Sequence, residues 1–253
     1  MKSKIAFFNT LSKMVFLVLT PVFFRLFNFA FIWHSIYWGI ITVVVLIWAF
    51  FIVASPLLGR VGCGWFCFMG TLQDGLFGES VIKMKTRKPL RWPRLIMLAG
   101  FLASALTFFF IRLHNGSIPG IRFQPGFFGA ELNTHYRLIW MYDALGGILL
   151  GLLLDKRWAC RNLCFMGSLC AAGAKHARLL PVLDAAKCSG CKKCESACLA
   201  AISLTDYAKS KGGLVTDAEC LLCGRCVRAC APKALSIKFV WNRRKFLAGH
   251  LRP

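Results

Sequence analysis

From Leu26 to Gly59 the chain carries no Asp, Glu, Lys or Arg. So long an uncharged run does not suit a water-facing surface, and about 20 apolar residues suffice to cross the bilayer's hydrocarbon as a helix. Spans are therefore expected at roughly Phe7 to Phe24, interrupted by Lys13 and Pro21, and at Ile36 to Leu57. Two more are expected at Leu95 to Ile111, bracketed by Arg94 and Arg112, and at Leu138 to Leu154, which holds Asp143. Composition agrees: 57% of residues are hydrophobic and 17% charged, against about 45–50% and about 25% in soluble domains. A disordered chain is excluded, since it would be polar and poor in aromatics.

The formal charge of +22 invites a nucleic-acid reading, but the cations gather in short loops beside the spans. Arg60, Lys83, Lys85, Arg87, Lys88, Arg91 and Arg94 lie between spans two and three, and Lys156, Arg157 and Arg161 follow span four. The opposite side holds Arg25, Arg112, Arg122 and Arg137. That asymmetry predicts a multi-pass protein of the bacterial inner (cytoplasmic) membrane with both termini cytoplasmic, its partner the lipid bilayer and not a nucleic acid. The N-terminus is basic then apolar, like a signal peptide, yet shows no small-residue cleavage site, and reads as a retained first helix. Residues 1–173 thus form a four-helix membrane domain, and residues 174–253, with fifteen Lys and Arg against five Asp and Glu, a cytoplasmic domain. That basic face suits anionic headgroups or an acidic donor.

The cytoplasmic domain carries the most specific motif. Cys188-Ser-Gly-Cys191-Lys-Lys-Cys194-Glu-Ser-Ala-Cys198 and Cys220-Leu-Leu-Cys223-Gly-Arg-Cys226-Val-Arg-Ala-Cys230 are both C-x2-C-x2-C-x3-C, the run that binds [4Fe–4S] clusters in bacterial ferredoxins. Three close thiolates wrap one cube and the fourth reaches its neighbour. Cys188, Cys191, Cys194 and Cys230 are expected to hold one cluster, and Cys220, Cys223, Cys226 and Cys198 the other. Zinc also accepts four thiolates, but two complete runs in tandem favour clusters. Leu199 stands where Pro often follows the fourth cysteine, and Pro232 comes one place late. Ile202–Leu204 and Leu235–Ile237 are expected as the strands of an α+β ferredoxin-like fold.

A second repeat lies at the membrane edge. Cys63-Gly-Trp-Phe-Cys67-Phe-Met-Gly-Thr-Leu72 follows span two, and Cys160-Arg-Asn-Leu-Cys164-Phe-Met-Gly-Ser-Leu169 follows span four, identical at six of ten positions. The repeat points to two parallel hairpins, and in C-x3-C both sulfurs share a helix face. Cys63, Cys67, Cys160 and Cys164 fit a third iron–sulfur cluster, a thiol-bound metal, a redox thiol relay or buried packing. Of the thirteen cysteines, Cys170 has no counterpart in the other copy and reads as packing.

Four spans, two C-x3-C motifs after spans two and four, and a C-terminal two-cluster domain resemble the NapH family of polyferredoxin membrane proteins, whose relatives include MauN and NosR- and CcoG-type proteins. The resemblance covers nearly the whole chain. The family motif is C-x3-C-P, and Phe68 and Phe165 replace both prolines. It implies electron transfer between the quinol pool and a partner redox protein or periplasmic reductase, with quinol as substrate. The alternative is an assembly factor that supplies electrons for metal-enzyme maturation, and a passive membrane anchor for a ferredoxin is a third reading. Asp143, His34, His114, Glu131 and His135 are candidates to take protons on the outer side. No phosphate-binding loop or Ser/His/Asp set appears.

Overall fold

Helix α1 (Lys4–Val18) is followed by a two-residue strand β1 (Ile40–Ile41), helix α2 (Val43–Leu58), a π-helical turn at Gly62–Phe66 and helix α3 (Phe68–Gly75). Helix α4 (Arg91–His114), strand β2 (Arg122–Phe123) and helices α5 (Trp158–Asn162) and α6 (Phe165–Ala174) complete the first part. The computed structural model describes residues 4–18, 31–32, 35–36, 39–75, 91–115, 122–123, 141, 149, 153–154, 157–210, 212–243 and 246–247. Most of the fourth expected span lies outside these residues, as do His34, Glu131, His135 and Asp143.

Among the described residues one helix is long and apolar enough to cross a membrane, Trp92–His114. Pro93 sits in its first turn, where its missing N–H has no intrahelical bond to lose. It turns Ile96 (67% exposed) and Phe110 (60% exposed) outward and buries Phe101, a distribution suited to hydrocarbon rather than water. The second expected span is shorter than its sequence suggests. Gly39 is left-handed (φ +63°), and Ile40–Ile41 pairs in parallel with Arg122–Phe123, so the helix starts only at Val43. That pairing joins residues far apart in sequence, which local hydropathy does not report. Lys13 is buried against Asp74 rather than facing lipid, so α1 carries its charge inward.

Helix α6 packs against α2 and α4. Phe101 of α4 stacks on Phe165 of α6 at 4.1 Å between ring centres, a pair contributing about 0.5–1.5 kcal/mol beyond burial. Gly173 lets the α6 backbone approach Ser55 and Pro56 of α2 too closely for a side chain.

The second part opens with strand β3 (Leu179–Leu183) and a 3₁₀ turn at Ala185–Lys187. Helices α7 (Lys193–Ser196), α8 (Asp206–Ser210) and α9 (Arg225–Ala229) lead to strand β4 (Leu235–Phe239). β3 and β4 pair antiparallel, from Leu179 opposite Phe239 to Leu183 opposite Leu235. A single bridge adds Leu214 beside Val182. Leu235–Ile237 is thus a strand as expected, but Ile202–Leu204 is not: its partner is β3, which precedes the first cysteine run. Ala201 is left-handed (φ +51°), and Ile202 and Leu204 instead enter the core with Leu183, Val215, Val227 and Leu235.

The two parts are joined by specific contacts. The Arg178 N–H donates to the Leu57 carbonyl at the end of α2 (3.0 Å), and Trp65 Nε1 donates to the Leu222 carbonyl (3.2 Å). Glu219 accepts from Arg60 and, through both its oxygens, from Arg94 at 2.8 and 3.0 Å. Burial acts to raise the Glu219 pKa, but Arg60 and Arg94 outweigh it and hold the carboxyl below its ordinary value. Gly64 lies so close to the Leu221 carbonyl oxygen that an added Cβ would collide with backbone. Gly64→Ala should therefore destabilise the chain by about 1–3 kcal/mol, read as a fall of several degrees in Tm. An unchanged Tm would show that the 219–223 loop does not rest on this turn.

Candidate functional site

The two long cysteine runs repeat in backbone as well as in sequence. Gly190 and Leu222, each just before the second cysteine, are left-handed at φ +69° and +52°. Lys192 and Gly224, just after it, are left-handed at +56° and +75°, and Ala201 and Lys233, three past the fourth cysteine, at +51° and +54°. Left-handed geometry at Lys192, Leu222, Ala201 and Lys233 is strained for side-chain-bearing residues, and such strain collects at functional loops. Alternating hand turns successive N–H groups to one side, which makes a concavity that favours anions.

Cysteines of the two long runs come together in the fold. Cys198, from the first run, joins Cys220, Cys223 and Cys226 of the second in the wall of one cavity, with Leu199, Leu221 and Ile237. Cys230 acts electrostatically on Cys194, and both pack with Cys188, Cys198, Cys220 and Cys226 around one core. Burial first, then the neighbouring thiols Cys223 and Cys198, holds the Cys226 thiol above its ordinary value. A metal bound among such thiols would favour their thiolate form. Among the described residues no three Cys, His, Asp or Glu side chains stand close enough to chelate a single metal ion. Four soft sulfur donors around a shared cavity suit an iron–sulfur cube.

The cysteines of the two C-x3-C motifs also meet. Cys63, Cys67 and Cys160 are buried in one core with Cys170, and Cys164 packs against it. Cys67 and Cys164 adopt nearly the same backbone angles, φ −68°, ψ 119° and φ −70°, ψ 111°. Cys164 Sγ accepts from the Gly167 N–H at 3.4 Å, and Cys160 Sγ donates to Gln73 Oε1 at 3.5 Å. Burial, followed by Cys160, Cys63 and Cys164, holds the Cys67 thiol well above its ordinary value. Cys63 goes the other way: a hydrogen bond from Cys170 and the Arg60 guanidinium outweigh burial and lower it. Cys170 is buried in this core as a packing residue is, and it is also a fifth thiol beside the group, which the repeat does not reveal.

Two further residues extend the repeat. Arg60 and Arg157 stand three places before Cys63 and Cys160, and both are almost fully buried. Arg60 lies against Gly167 of the second copy, and Arg157 against Gly70 of the first, each where a Cβ would collide with the guanidinium. The third residue of each Phe-Met-Gly is thus small because the other copy's arginine fills the space. Arg157 donates to the Cys63 carbonyl at 2.8 Å and to both Asp74 oxygens at 3.0 and 2.6 Å. Buried Arg60 Nε, Gln73 Nε2 and Ser168 Oγ have no protein hydrogen-bond partner. Two guanidiniums, one with a spare N–H, and two further spare polar groups around the thiols suit an anionic, sulfur-rich occupant.

Leu199, Leu221 and Cys223 belong to the same packed core as Cys63, Cys67 and Cys160. The cavity lined by Cys198 and Cys220 therefore adjoins the membrane-edge thiols, while Cys191 of the other set is exposed. His114 is exposed at the end of α4.

The family described as a 4Fe-4S binding domain matches residues 40–89, and the 4Fe-4S dicluster domain family matches residues 180–232. The ferredoxin-type protein NapH of Haemophilus influenzae is 28% identical over 197 residues, 73% of this chain and 64% of that protein. The putative electron transport protein YccM of Escherichia coli is 25% identical over 198 residues, 75% of this chain and 53% of that protein. An uncharacterized protein of Methanocaldococcus jannaschii is 26% identical over 199 residues, 77% of this chain and 71% of its own length. The match thus spans less than two thirds of the NapH and YccM proteins. No solved structure matches the chain.

Proposed function

We propose that this chain, which belongs to the NapH-like ferredoxin-type proteins, moves single electrons between the quinol pool of the bacterial inner membrane and a partner redox protein on its cytoplasmic side. The observation that carries the reading is the continuous core linking the membrane-edge thiols to the wall of the Cys198–Cys220–Cys223–Cys226 cavity through Leu199, Leu221 and Cys223. A [4Fe–4S] cluster supplies reversible one-electron chemistry when bound. Cys188, Cys191, Cys194 and Cys230 would hold the outer one, Cys220, Cys223, Cys226 and Cys198 the inner one, and Cys63, Cys67, Cys160 and Cys164 a third. The match of residues 40–89 to a 4Fe-4S binding domain supports the third, since that stretch contains Cys63 and Cys67.

This chain's own residues do the holding and shielding. Arg60 and Arg157 offset negative charge at the membrane-edge thiols, and Leu221 and Leu199 exclude water between the two inner groups. The membrane half consists, in this reading, of four spans with residues 174–253 on the cytoplasmic face. A cavity of about 420 Å³, lined by Ile32, Ile36, Trp48, Phe101, Met166 and Leu169, is of ligand size. Its apolar wall suits an isoprenoid quinol, and Met166 lies two residues from Cys164.

The test is quinol-dependent reduction in anaerobic membranes, followed by EPR. Quinol should produce reduced iron–sulfur signals, and Trp48→Ala with Met166→Ala should diminish them while leaving dithionite-reduced signals intact. Dithionite-reducible signals that quinol never produces would overturn the quinol assignment. An assembly factor would instead be required while a target enzyme matures and be dispensable for turnover of the finished enzyme.

A further inference from the structure

The outer cysteine set sits in a ring of positive charge. Lys187, Lys192, Lys193, Arg228 and Lys233 are all exposed, and each lies within three residues of Cys188, Cys191, Cys194 or Cys230. Two acids lie nearby, Asp184 and Glu195, so five cations against two acids leave the face net positive. Asp184 pairs with Lys187 at 3.0 Å, and Glu195 accepts from the Thr205 N–H at 2.8 Å and from its hydroxyl. Cys191, next to Lys192 in sequence, is exposed, whereas the other set is covered by Leu199 and Leu221 of the core that holds Cys63, Cys67 and Cys160.

The sheet decides which way this ring faces. The Arg178 N–H, just before β3, bonds to Leu57 at the end of α2, and β3 then runs from Leu179 to Leu183. Five strand residues cover roughly 13 Å. Lys187 follows β3 and Lys233 precedes β4, so both stand at the end of the sheet opposite to the α2 contact. That distance exceeds the Debye length of about 8 Å at physiological salt, so a partner in solution suits the ring better than headgroups around α2.

Resting on the cluster reading above, we propose that this face docks a small acidic electron-carrier protein of the ferredoxin or flavodoxin type. A cluster held by Cys188, Cys191, Cys194 and Cys230 would exchange one electron with the carrier, one being oxidised as the other is reduced, with no proton transferred. The cations draw the acidic carrier in and orient it over Cys191, the thiol closest to solvent. Electrostatic steering of this kind changes association by about 10–1,000-fold and weakens with salt.

The test uses the full-length holoprotein in detergent, with an oxidised acidic bacterial ferredoxin as the probe in titration calorimetry. The reduced probe is then used in anaerobic stopped-flow. In the triple variant Lys192→Glu, Lys193→Glu, Arg228→Glu, Kd should rise at least about tenfold and the association rate fall similarly. Wild-type affinity should drop steadily with added salt. Iron content and dithionite reduction should be unchanged, which separates loss of docking from loss of the clusters. Unchanged Kd in the variant, or salt-independent binding, would overturn the proposal. So would a variant whose defect appears only in co-sedimentation with phosphatidylglycerol vesicles, which would assign the face to lipid. Wild-type protein without iron at the outer site would defeat the underlying cluster reading instead.

Discussion

Serine at Cys63, Cys67, Cys160 and Cys164 together is expected to lower the iron of the anaerobically purified protein from about twelve to about eight atoms per chain. The loss should be confined to one centre, because the expected ligands of the other two lie wholly within residues 188–230. Their EPR signals should survive with their line shapes intact. Three of the four thiols are buried together and Cys164 packs against them, and burial with mutual repulsion opposes ionising Cys67 and Cys164. Bound iron removes that opposition, since it ligates thiolate and not thiol. Arg60 and Arg157 supply further compensation: each is buried, so its charge is little screened by solvent, although each also meets a carboxylate, Glu219 and Asp74. Single replacement of Cys170 tests the fifth thiol separately. Cys170→Ala should keep the iron at about twelve and alter the spectrum of the membrane-edge centre, because it removes the hydrogen bond to Cys63. About eight irons in the unmodified protein, unchanged by the fourfold replacement, would assign the quartet to thiol chemistry or packing.

The two long runs were legible as an iron–sulfur motif because ligand spacing is written in sequence, and residues 180–232 match a 4Fe-4S dicluster domain; their crossed grouping remains the expectation that the spacing sets. The left-handed turns that shape the runs were half legible. Gly190 and Gly224 announce them, but their counterparts Leu222 and Lys192 are residue types that seldom adopt positive φ, so only the fold reveals the symmetry. Arg60 and Arg157 were missed although the signal was present: both stand at the same offset from the first cysteine of their copies. Buried arginines look like ordinary positive-inside charges until Gly70 and Gly167 are seen to make room for them. The start of α2 and the partner of β4 depended on long-range pairings, Ile40 with Arg122 and Leu235 with Leu183, which no local pattern encodes. Lys13 read as a flaw in a span because its partner Asp74 lies on another element.

That partner gives the second large effect. Asp74→Asn is expected to destabilise the folded chain by about 3–5 kcal/mol, the range found when one member of a buried ionic group is removed. Asp74 is 1% exposed and meets Lys13 on one side and Arg157, also 1% exposed, on the other. Burial acts to raise its carboxyl pKa, but Arg157 and then Lys13 outweigh it, so the group is held below its ordinary value. A depressed carboxylate stabilises the fold above its unfolded pKa of about 3.9, and that contribution is lost only as pH falls below this through the lower folded value. At neutral pH it is therefore complete. Asparagine keeps the shape and removes the charge, leaving two buried cations facing each other. Thermal unfolding in detergent at pH 7 should show the loss, and Lys13→Met in the Asp74→Asn background should recover part of it by removing one unpaired cation. The recovery separates charge from shape, since methionine matches the lysine stem and makes no hydrogen bond to the introduced amide. A single variant within 1 kcal/mol of the parent (about the median for exposed pairs) would mean that water reaches this trio. Helix α1 would then be held to α3 by packing alone.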